Sequence, residues 1–383
     1  MQESGFGLVR PDVSMVLQRS ALTNKKEDAK PIDWSRMDAA VNAYTSRGFL
    51  LDLQLMNPPD WAVIEKYKNV KGNYWRYPHV EQVYRRYVRE LVSRYGKHAA
   101  FVQVFNEPDQ KEFWAGTKQE FVQTFEQAHD EINKASTRLL RMGAIQTRLT
   151  TTNGGYAFID PAKTAYFVDE LKGKIDLIAY HSHGNLRELI RDHEHAKKLH
   201  EAAGYDQPRF INTETGFSAW RLDQEQRQAQ AMLHKLYYSW ATGHEGVMLF
   251  ASRMTRAPGR EGRDFGLLDY NFCPRFAYGA VAAFMKTMAG AKFVKAHQAG
   301  KDVFVYEFHR GNEVLVSVFS VGQQKQVQLK VGGNSTKRVQ IIDAMGNMNV
   351  LTPASGGAVM VVARAYPQTL VFDGAKGLII DVP

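Results

Sequence analysis

Short apolar runs alternate with longer segments in which apolar residues recur every three or four positions, from residue 5 to residue 290. The short runs are typical of buried parallel strands, and the longer segments are typical of amphipathic helices. The predicted strands are residues 5–10, 49–55, 101–105, 142–152, 175–180, 209–214 and 246–250. The predicted helices are residues 33–47, 80–95, 118–139, 166–171, 186–203, 223–242 and 274–288.

This alternation predicts right-handed parallel crossovers, and therefore an α/β sheet or barrel. Seven strands are predicted, one fewer than a (β/α)8 barrel contains. If the strand at 101–105 is the fourth of such a barrel, the first strand and its helix are absent from this sequence. We therefore expect a (β/α)8 TIM barrel without its first strand in residues 1–292.

The pattern changes after residue 292. Residues 302–308, 313–319 and 326–331 alternate apolar and polar positions or are rich in β-branched residues, and Gly and Asn turns separate them. The same pattern continues to residue 383. It predicts a second, antiparallel β-sandwich domain over residues 293–383.

Composition bounds the function more weakly than the pattern does. The chain has 383 residues, 44% of them hydrophobic, which suffices for one barrel and one small domain. Its formal net charge of +9 fits an acidic polymer as partner, or simply a basic solvated surface. The second interpretation is favoured because Lys and Arg are spread among acidic residues, so we expect no nucleic-acid partner.

Cysteine and hydropathy leave the compartment open. Cys273 is the single cysteine, so no internal disulfide forms, and we expect a buried, unreactive thiol. No stretch approaches the ~18 apolar residues of a membrane span, and the first residues lack a signal-peptide pattern. We expect no membrane insertion; an extracytoplasmic location would require a longer natural N-terminus.

Two predicted strands end in a glutamate. Asn106-Glu107-Pro108 follows the apolar run at 101–105, and Thr213-Glu214-Thr215-Gly216 ends the strand at 209–214. Residues just past the carboxyl ends of barrel strands face the active-site mouth. We therefore expect Glu107 and Glu214 to lie across one mouth, although two surface or ion-paired glutamates would give the same pattern.

Paired carboxyl groups are the chemistry of glycoside hydrolysis. One carboxylic acid protonates the leaving oxygen, and a second carboxylate acts from the other side of the sugar. When the pair is ~5–5.5 Å apart, the carboxylate attacks directly and configuration is retained; a wider gap admits water and inverts it. The two strand-end glutamates therefore predict a glycosidase.

The chain resembles the retaining glycoside hydrolases of clan A, which are (β/α)8 barrels, over residues 5–290. Asn106-Glu107-Pro108 looks like the clan's acid/base motif on the fourth strand, and Thr213-Glu214-Thr215-Gly216 looks like its nucleophile on the seventh. Within the clan the chain is most similar to family 39 and its relatives, which include β-xylosidases and bacterial exopolysaccharide hydrolases. The resemblance implies a poly- or oligosaccharide substrate.

By position in this resemblance, Glu107 is the acid/base and Glu214 the nucleophile. Asn106 is expected to hydrogen-bond the sugar 2-hydroxyl, and Arg10 to hold Glu214 ionised. The resemblance also implies an aromatic or histidine group near the nucleophile at the end of the sixth strand, where this chain has Tyr180, His181 and His183.

Further substrate-binding candidates follow other strand ends. The tryptophans could stack on sugar faces and the asparagines could bind hydroxyls; they are Trp61, Trp114 and Trp220, and Asn57 and Asn153. Phe250 stands where the clan often carries a tryptophan, on the floor of the sugar subsite. Arg253 and Arg256 follow it and favour an acidic sugar.

Two other functions remain open at this point. A catalytically silent barrel would bind polysaccharide without cleaving it. A metal-dependent hydrolase could be built on His181 and His183, whose alternating spacing occurs in metal sites. Because no third and fourth ligand is evident, we expect neither a metal nor any other cofactor.

Overall fold

The computed structural model describes most of the chain. The described residues are 7–10, 32–55, 60–70, 76–111, 113–135, 140–146, 161–219, 221–254, 264–331, 338–354, 357–373 and 378–381. Every structural statement below refers to these residues.

A parallel sheet of seven strands forms the first part of the described chain. Its strands pair in chain order, each with the next, and every pairing is parallel. The strands are β1 Leu8–Val9, β2 Leu50–Leu55, β3 Ala99–Val104, β4 Leu140–Gln146, β5 Leu177–His181, β6 Phe210–Thr215 and β7 Val247–Leu249.

Helices connect consecutive strands over most of this sheet. They are α1 Ser35–Thr45, α2 Glu81–Tyr95, α3 Lys118–Ala135, α4 Pro161–Glu170, α5 Leu186–Ala202, α6 Leu222–Ala241 and α7 Phe276–Met288. In α2 the buried side chains recur at three- and four-residue spacing, from Val83 to Tyr95, so one face of the helix packs on the sheet. Asn185 caps α5 by accepting hydrogen bonds from the backbone N–H groups of Arg187 and Glu188.

The sheet curves around its own small core. Phe101, Leu177, Ala179 and Ile211 form a buried cluster that is closed by Leu8 from β1 and Met248 from β7, the two outermost described strands. A larger apolar layer lies between the strands and the helices. Side chains on both faces of the sheet are therefore covered, as in a TIM barrel.

The rest of the chain forms two antiparallel sheets. The strands are β8 Lys292–Gln298, β9 Val303–Arg310, β10 Glu313–Ser320, β11 Lys325–Val331, β12 Val339–Ile342, β13 Met348–Leu351, β14 Ala358–Ala363, β15 Gln368–Asp373 and β16 Leu378–Asp381. Six of them pair in the order β13-β12-β15-β10-β9-β8, and three in the order β14-β11-β16. Valines and leucines from both sheets fill the space between them, which makes this unit a β-sandwich.

The sandwich packs on helix α6 of the barrel. The His234 ring stacks on Phe319 with centroids 4.5 Å apart, and its Nε2 is 2.6 Å from the carbonyl oxygen of Ala365. The hydroxyls of Tyr237 and Thr369 are 2.6 Å apart. These buried contacts fix the sandwich against the barrel wall.

The predicted fold class is confirmed: a TIM-type barrel with a C-terminal β-sandwich. The domain boundary after residue 292 stays a prediction; β8, the first strand of the antiparallel part, begins at Lys292. The helix predicted at 166–171 begins earlier, at Pro161, a residue type favoured in the first helical turn.

The prediction that the single thiol is buried is wrong, because Cys273 is exposed on a turn. No described helix is long and apolar enough to cross a membrane.

Candidate active site

Glu107 lies where the chain leaves β3. Phe105 and Glu107 both adopt left-handed backbone conformations, with φ of 69° and 45°. Such conformations are unfavourable for residues other than glycine and are concentrated at functional sites. The turn buries the Glu107 side chain at the carboxyl end of the sheet, where it is 5% exposed.

Both oxygens of Glu107 are engaged. Oε1 lies 2.5 Å from Nδ1 of His181, and Oε2 accepts a hydrogen bond of 2.5 Å from Nε2 of Gln110. Asp109 is buried two residues further on. Burial, and then the charge of Glu107, raise the pKa of the Asp109 carboxyl well above its usual range. A carboxyl group that resists ionisation, that of Asp109, thus lies near Glu107.

Glu214 is held by a cation. The Arg10 guanidinium donates to Oε1 of Glu214 at 2.7 Å, to Asp52 at 2.6 Å and to Gln103 at 2.5 Å. Burial alone would raise the pKa of Glu214, but His181, His183 and Arg10 together outweigh it and lower the pKa to about 2. Glu214 is therefore an ionised carboxylate near neutral pH.

The two glutamates meet around His181. Nδ1 of His181 is 2.5 Å from Oε1 of Glu107 and 3.6 Å from Oε2 of Glu214, and Nε2 of His183 is 3.8 Å from the same Oε2. One carboxylate oxygen of Glu107 lies within 4.8 Å of one of Glu214. The oxygen of Glu214 that Arg10 leaves free thus faces Glu107 and the two histidines.

Asn106 is oriented from below by strand residues. Its Oδ1 accepts a hydrogen bond of 3.1 Å from Nε2 of Gln54 on β2, and Nε2 of Gln103 lies 3.5 Å away. Because the amide oxygen is used in this way, the amide nitrogen is directed away from these two donors. The arrangement leaves the Asn106 amide nitrogen as the donor that can serve a ligand.

Phe250 and Trp61 also follow strand ends. Phe250 is 38% exposed, and its ring centroid is 5.2 Å from that of His183, which places it at the rim of the site. Trp61 is half-buried in the turn after β2 and packs against the main core. Its predicted stacking on a sugar stays a prediction. Asn57, Asn153 and Trp220 lie outside the described residues.

Two predicted aromatic groups lie away from the site. The Tyr180 hydroxyl is 2.6 Å from Nε2 of His244, in the layer between sheet and helices. Tyr180 precedes His181 in β5, and adjacent strand residues point to opposite faces, so only His181 reaches the carboxylates. Trp114 is fully buried against Phe105 and its indole donates to the Thr117 carbonyl oxygen, so it packs in the core.

Sequence reasoning missed four polar groups beneath the site. Asp52 and Gln54 on β2, and Gln103 on β3, are buried and hold Arg10 and Asn106. Their signal was available, because polar residues at every second position interrupt otherwise apolar strands. Lys235 is also fully buried, and its ammonium donates to the Gly216 carbonyl oxygen at 2.8 Å, directly behind the Glu214 strand end.

Glu107, His181 and Glu214 could together supply ligands to a metal ion, since one atom of each lies within 4.8 Å of the others. These three residues differ from the pair His181 and His183, which the sequence offered as metal ligands. Arg10 already neutralises Glu214 at 2.7 Å. A bound divalent cation would have to share that carboxylate with the guanidinium.

Residues 67–198, which include the Glu107 strand end and His181, match the family model of glycosyl hydrolases family 39. The chain is a family-39-like glycoside hydrolase. Solved structures of family 39 and family 30 enzymes share its fold. No curated protein matches the chain.

Solved structures similar to this family-39-like glycoside hydrolase cover nearly all of it. A family 39 glycoside hydrolase from Bacteroides cellulosilyticus aligns with a TM-score of 0.74 and 17% identity over 97% of this chain and 76% of that one. A family 39 β-xylosidase from Caulobacter crescentus aligns with a TM-score of 0.63 and 14% identity over 97% and 90%. A family 30 endoxylanase from Clostridium papyrosolvens gives 0.62 and 15% over 97% and 96%.

Proposed function

We propose that this family-39-like enzyme cleaves β-glycosidic bonds of a poly- or oligosaccharide, with Glu107 as acid/base and Glu214 as nucleophile. The observation that carries the proposal is the separation of the two carboxyl groups, whose nearest oxygens lie within 4.8 Å. A gap this narrow suits direct attack at ~5–5.5 Å rather than the ~6.5–9.5 Å that accommodates a water.

The environments of the two glutamates support different roles. Glu214 is ionised; Arg10 holds its Oε1, and Oε2 lies 3.6 Å from His181 and 3.8 Å from His183. Two ionised carboxylates this close repel each other, and Glu214 is the one that Arg10 holds ionised. Glu107 also lacks an arginine or lysine partner among the described ion pairs and contacts Gln110 and His181 instead.

The reaction then proceeds in two steps. Oε2 of Glu214 attacks the anomeric carbon while Glu107 gives its proton to the leaving oxygen, which forms a glycosyl ester on Glu214. Glu107, now ionised, takes a proton from water, which attacks the anomeric carbon and releases Glu214. Asn106 donates to the sugar 2-hydroxyl, and His183 and Phe250 line the same subsite. Two inversions give net retention.

The test compares Glu107→Gln and Glu214→Gln with the wild-type enzyme on a panel of aryl β-glycosides. Both variants should lose turnover. Proton NMR of the first product that the wild-type enzyme releases should show the retained anomer. Glu245→Gln is the matched control, because Glu245 is an exposed glutamate paired with Arg209 at the opposite end of the barrel. Full activity in the double variant would refute the proposal.

The two alternatives give different results in the same panel. A silent polysaccharide-binding barrel would bind sugars without releasing reducing ends. A metal-dependent hydrolase would lose activity on treatment with a chelator, whereas the proposed mechanism uses only side chains and water. Activity that survives chelation and disappears in both variants selects the proposed function.

A further inference from the structure

A second feature lies beyond the rim of the site, in the connection between β7 and α7. Residues 264–268 run alongside residues 251–254: the Leu267 N–H donates to the Ala251 carbonyl oxygen at 2.9 Å, and the Met254 N–H to that of Leu268 at 2.9 Å. This pairing extends the wall of the barrel past Phe250, on the side where the strands end.

The extension ends in a turn that displays two aromatic rings. Oδ1 of Asp269 accepts hydrogen bonds of 2.8 Å from the backbone N–H groups of Asn271 and Cys273, which fixes the turn. Tyr270 is 40% exposed and Phe272 63% exposed. Phe272 has a φ of 67°, in the left-handed region that is unfavourable for an aromatic residue. Its ring is thus held toward solvent in a strained backbone, which is typical of a binding position.

Arg253 lies over these rings. Its guanidinium carbon is 4.3 Å from the Phe272 ring centroid and 5.4 Å from that of Tyr270. No ion pair joins Arg253 to a carboxylate among the described residues, although its Nε donates to the Met254 carbonyl oxygen at 3.3 Å.

We propose that Arg253, Tyr270 and Phe272, the Arg253 platform, bind a uronic acid unit of the glycan. The exposed face of Phe272 suits the C–H face of a pyranose ring. The planar guanidinium, already stacked on that ring, presents paired N–H donors that match a carboxylate. A neutral sugar would use only the aromatic part of the platform, whereas a uronate uses both parts.

The platform belongs to a unit of the glycan distant from the cleaved bond. The Phe250 ring lies 5.2 Å from that of His183 at the rim. Arg253 follows three residues later, on the segment that pairs with residues 264–268 and extends the wall past the rim. This inference rests on the proposed function for the direction of the glycan, and it adds a preference for acidic substrates.

Binding measurements separate this inference from the proposed catalysis. Isothermal titration calorimetry would use the full chain carrying Glu107→Gln, with oligosaccharides that contain glucuronate, galacturonate or mannuronate. Each oligosaccharide is paired with its carboxyl-reduced counterpart of the same length and linkage. If the catalytic proposal fails, wild-type enzyme turns over no aryl glycoside in a separate assay, and the binding result still stands.

We expect the best-bound uronate to bind about tenfold more tightly than its reduced counterpart. Arg253→Gln should abolish this preference, and Phe272→Ala should weaken both ligands alike. Arg47→Gln removes the same charge from the exposed end of α1 and should change nothing. Equal affinity for the two members of every pair, an equal loss in Arg47→Gln, or no binding across the panel would overturn the inference.

Discussion

Lys235 gives the sharpest prediction about stability, because it is an ammonium group buried in the barrel wall. It is fully buried on α6 and donates to the carbonyl oxygens of Gly216 at 2.8 Å and Ser182 at 3.4 Å. Burial lowers the pKa of Lys235 from 10.5 to about 7, and the nearby Glu188 and Asp192 compensate only in part. The folded protein therefore binds the Lys235 proton less tightly than the unfolded chain does.

The sign and size of the effect follow from proton linkage. Between pH 7 and 10.5 the unfolded state holds more protons at this site than the folded state, so the free energy of unfolding rises with pH. From pH 7 to pH 9.5 the gain is ~3 kcal/mol for a group with these two pKa values. Below pH 7 both states are protonated, so the cost of burying the charge stays constant.

The perturbation is Lys235→Met, which keeps the length of the side chain and removes the charge. Urea unfolding would be measured at several pH values between 7 and 9.5, and the variant should lack the ~3 kcal/mol gain that the wild-type enzyme shows. Lys198→Met removes an exposed lysine from α5 and should keep the wild-type slope. Equal slopes for Lys235→Met and wild type would refute the reasoning.

Three further substitutions test single interactions. Arg10→Met should raise the pKa of Glu214 and shift the acid limb of the kcat/KM–pH profile to higher pH by ~1–3 units. An acid limb at the wild-type pH would show that Arg10 does not hold the carboxylate ionised. Trp114→Ala should cost ~3–5 kcal/mol in thermal unfolding because the ring is fully buried; an unchanged Tm would contradict core packing. Burial and the charge of Glu107 raise the pKa of Asp109, so the ionised Asp109 carboxylate is less stable in the folded protein than in the unfolded chain. The wild-type enzyme should therefore lose stability as pH rises above about 4, and Asp109→Asn should lose less. Parallel curves of Tm against pH for the two proteins would contradict this.

The sequence predicted the barrel because buried parallel strands and amphipathic helices have different periods. All seven predicted strands have counterparts in the described sheet. The strand-end glutamates were found for the same reason: a polar residue directly after an apolar run marks the edge of a sheet. Glu107 and Glu214 are 107 residues apart along the chain, and only parallel topology brings their side chains together.

Side-chain direction at a strand end was harder to predict. The register shifts between Tyr180 and His181, and whether a residue faces the mouth or the helices depends on its phase in the strand. The motif named both residues, but the structure brings only His181 to the carboxylates and places Tyr180 against His244. The contact between Arg10 and Glu214 joins residues 204 apart and came from the resemblance rather than from periodicity.

Features that depend on tertiary packing could not be predicted from the pattern of apolar and polar residues. Trp114 follows a strand end like the other candidate tryptophans, yet Phe105 and Phe121 enclose it, because the chain turns inward there. Cys273 is exposed because Asp269 folds its turn outward. Neither result follows from composition or spacing.

The most direct test of the central claim is the identity of the covalently labelled residue. Aryl 2-deoxy-2-fluoro-β-glycosides slow the second step of a retaining reaction, so the glycosyl–enzyme accumulates. After digestion, peptide mass spectrometry should find one fluoroglycosyl group, on Glu214, in wild-type enzyme and none in Glu214→Gln. A label on Glu107, or turnover with inversion and no label, would contradict the account.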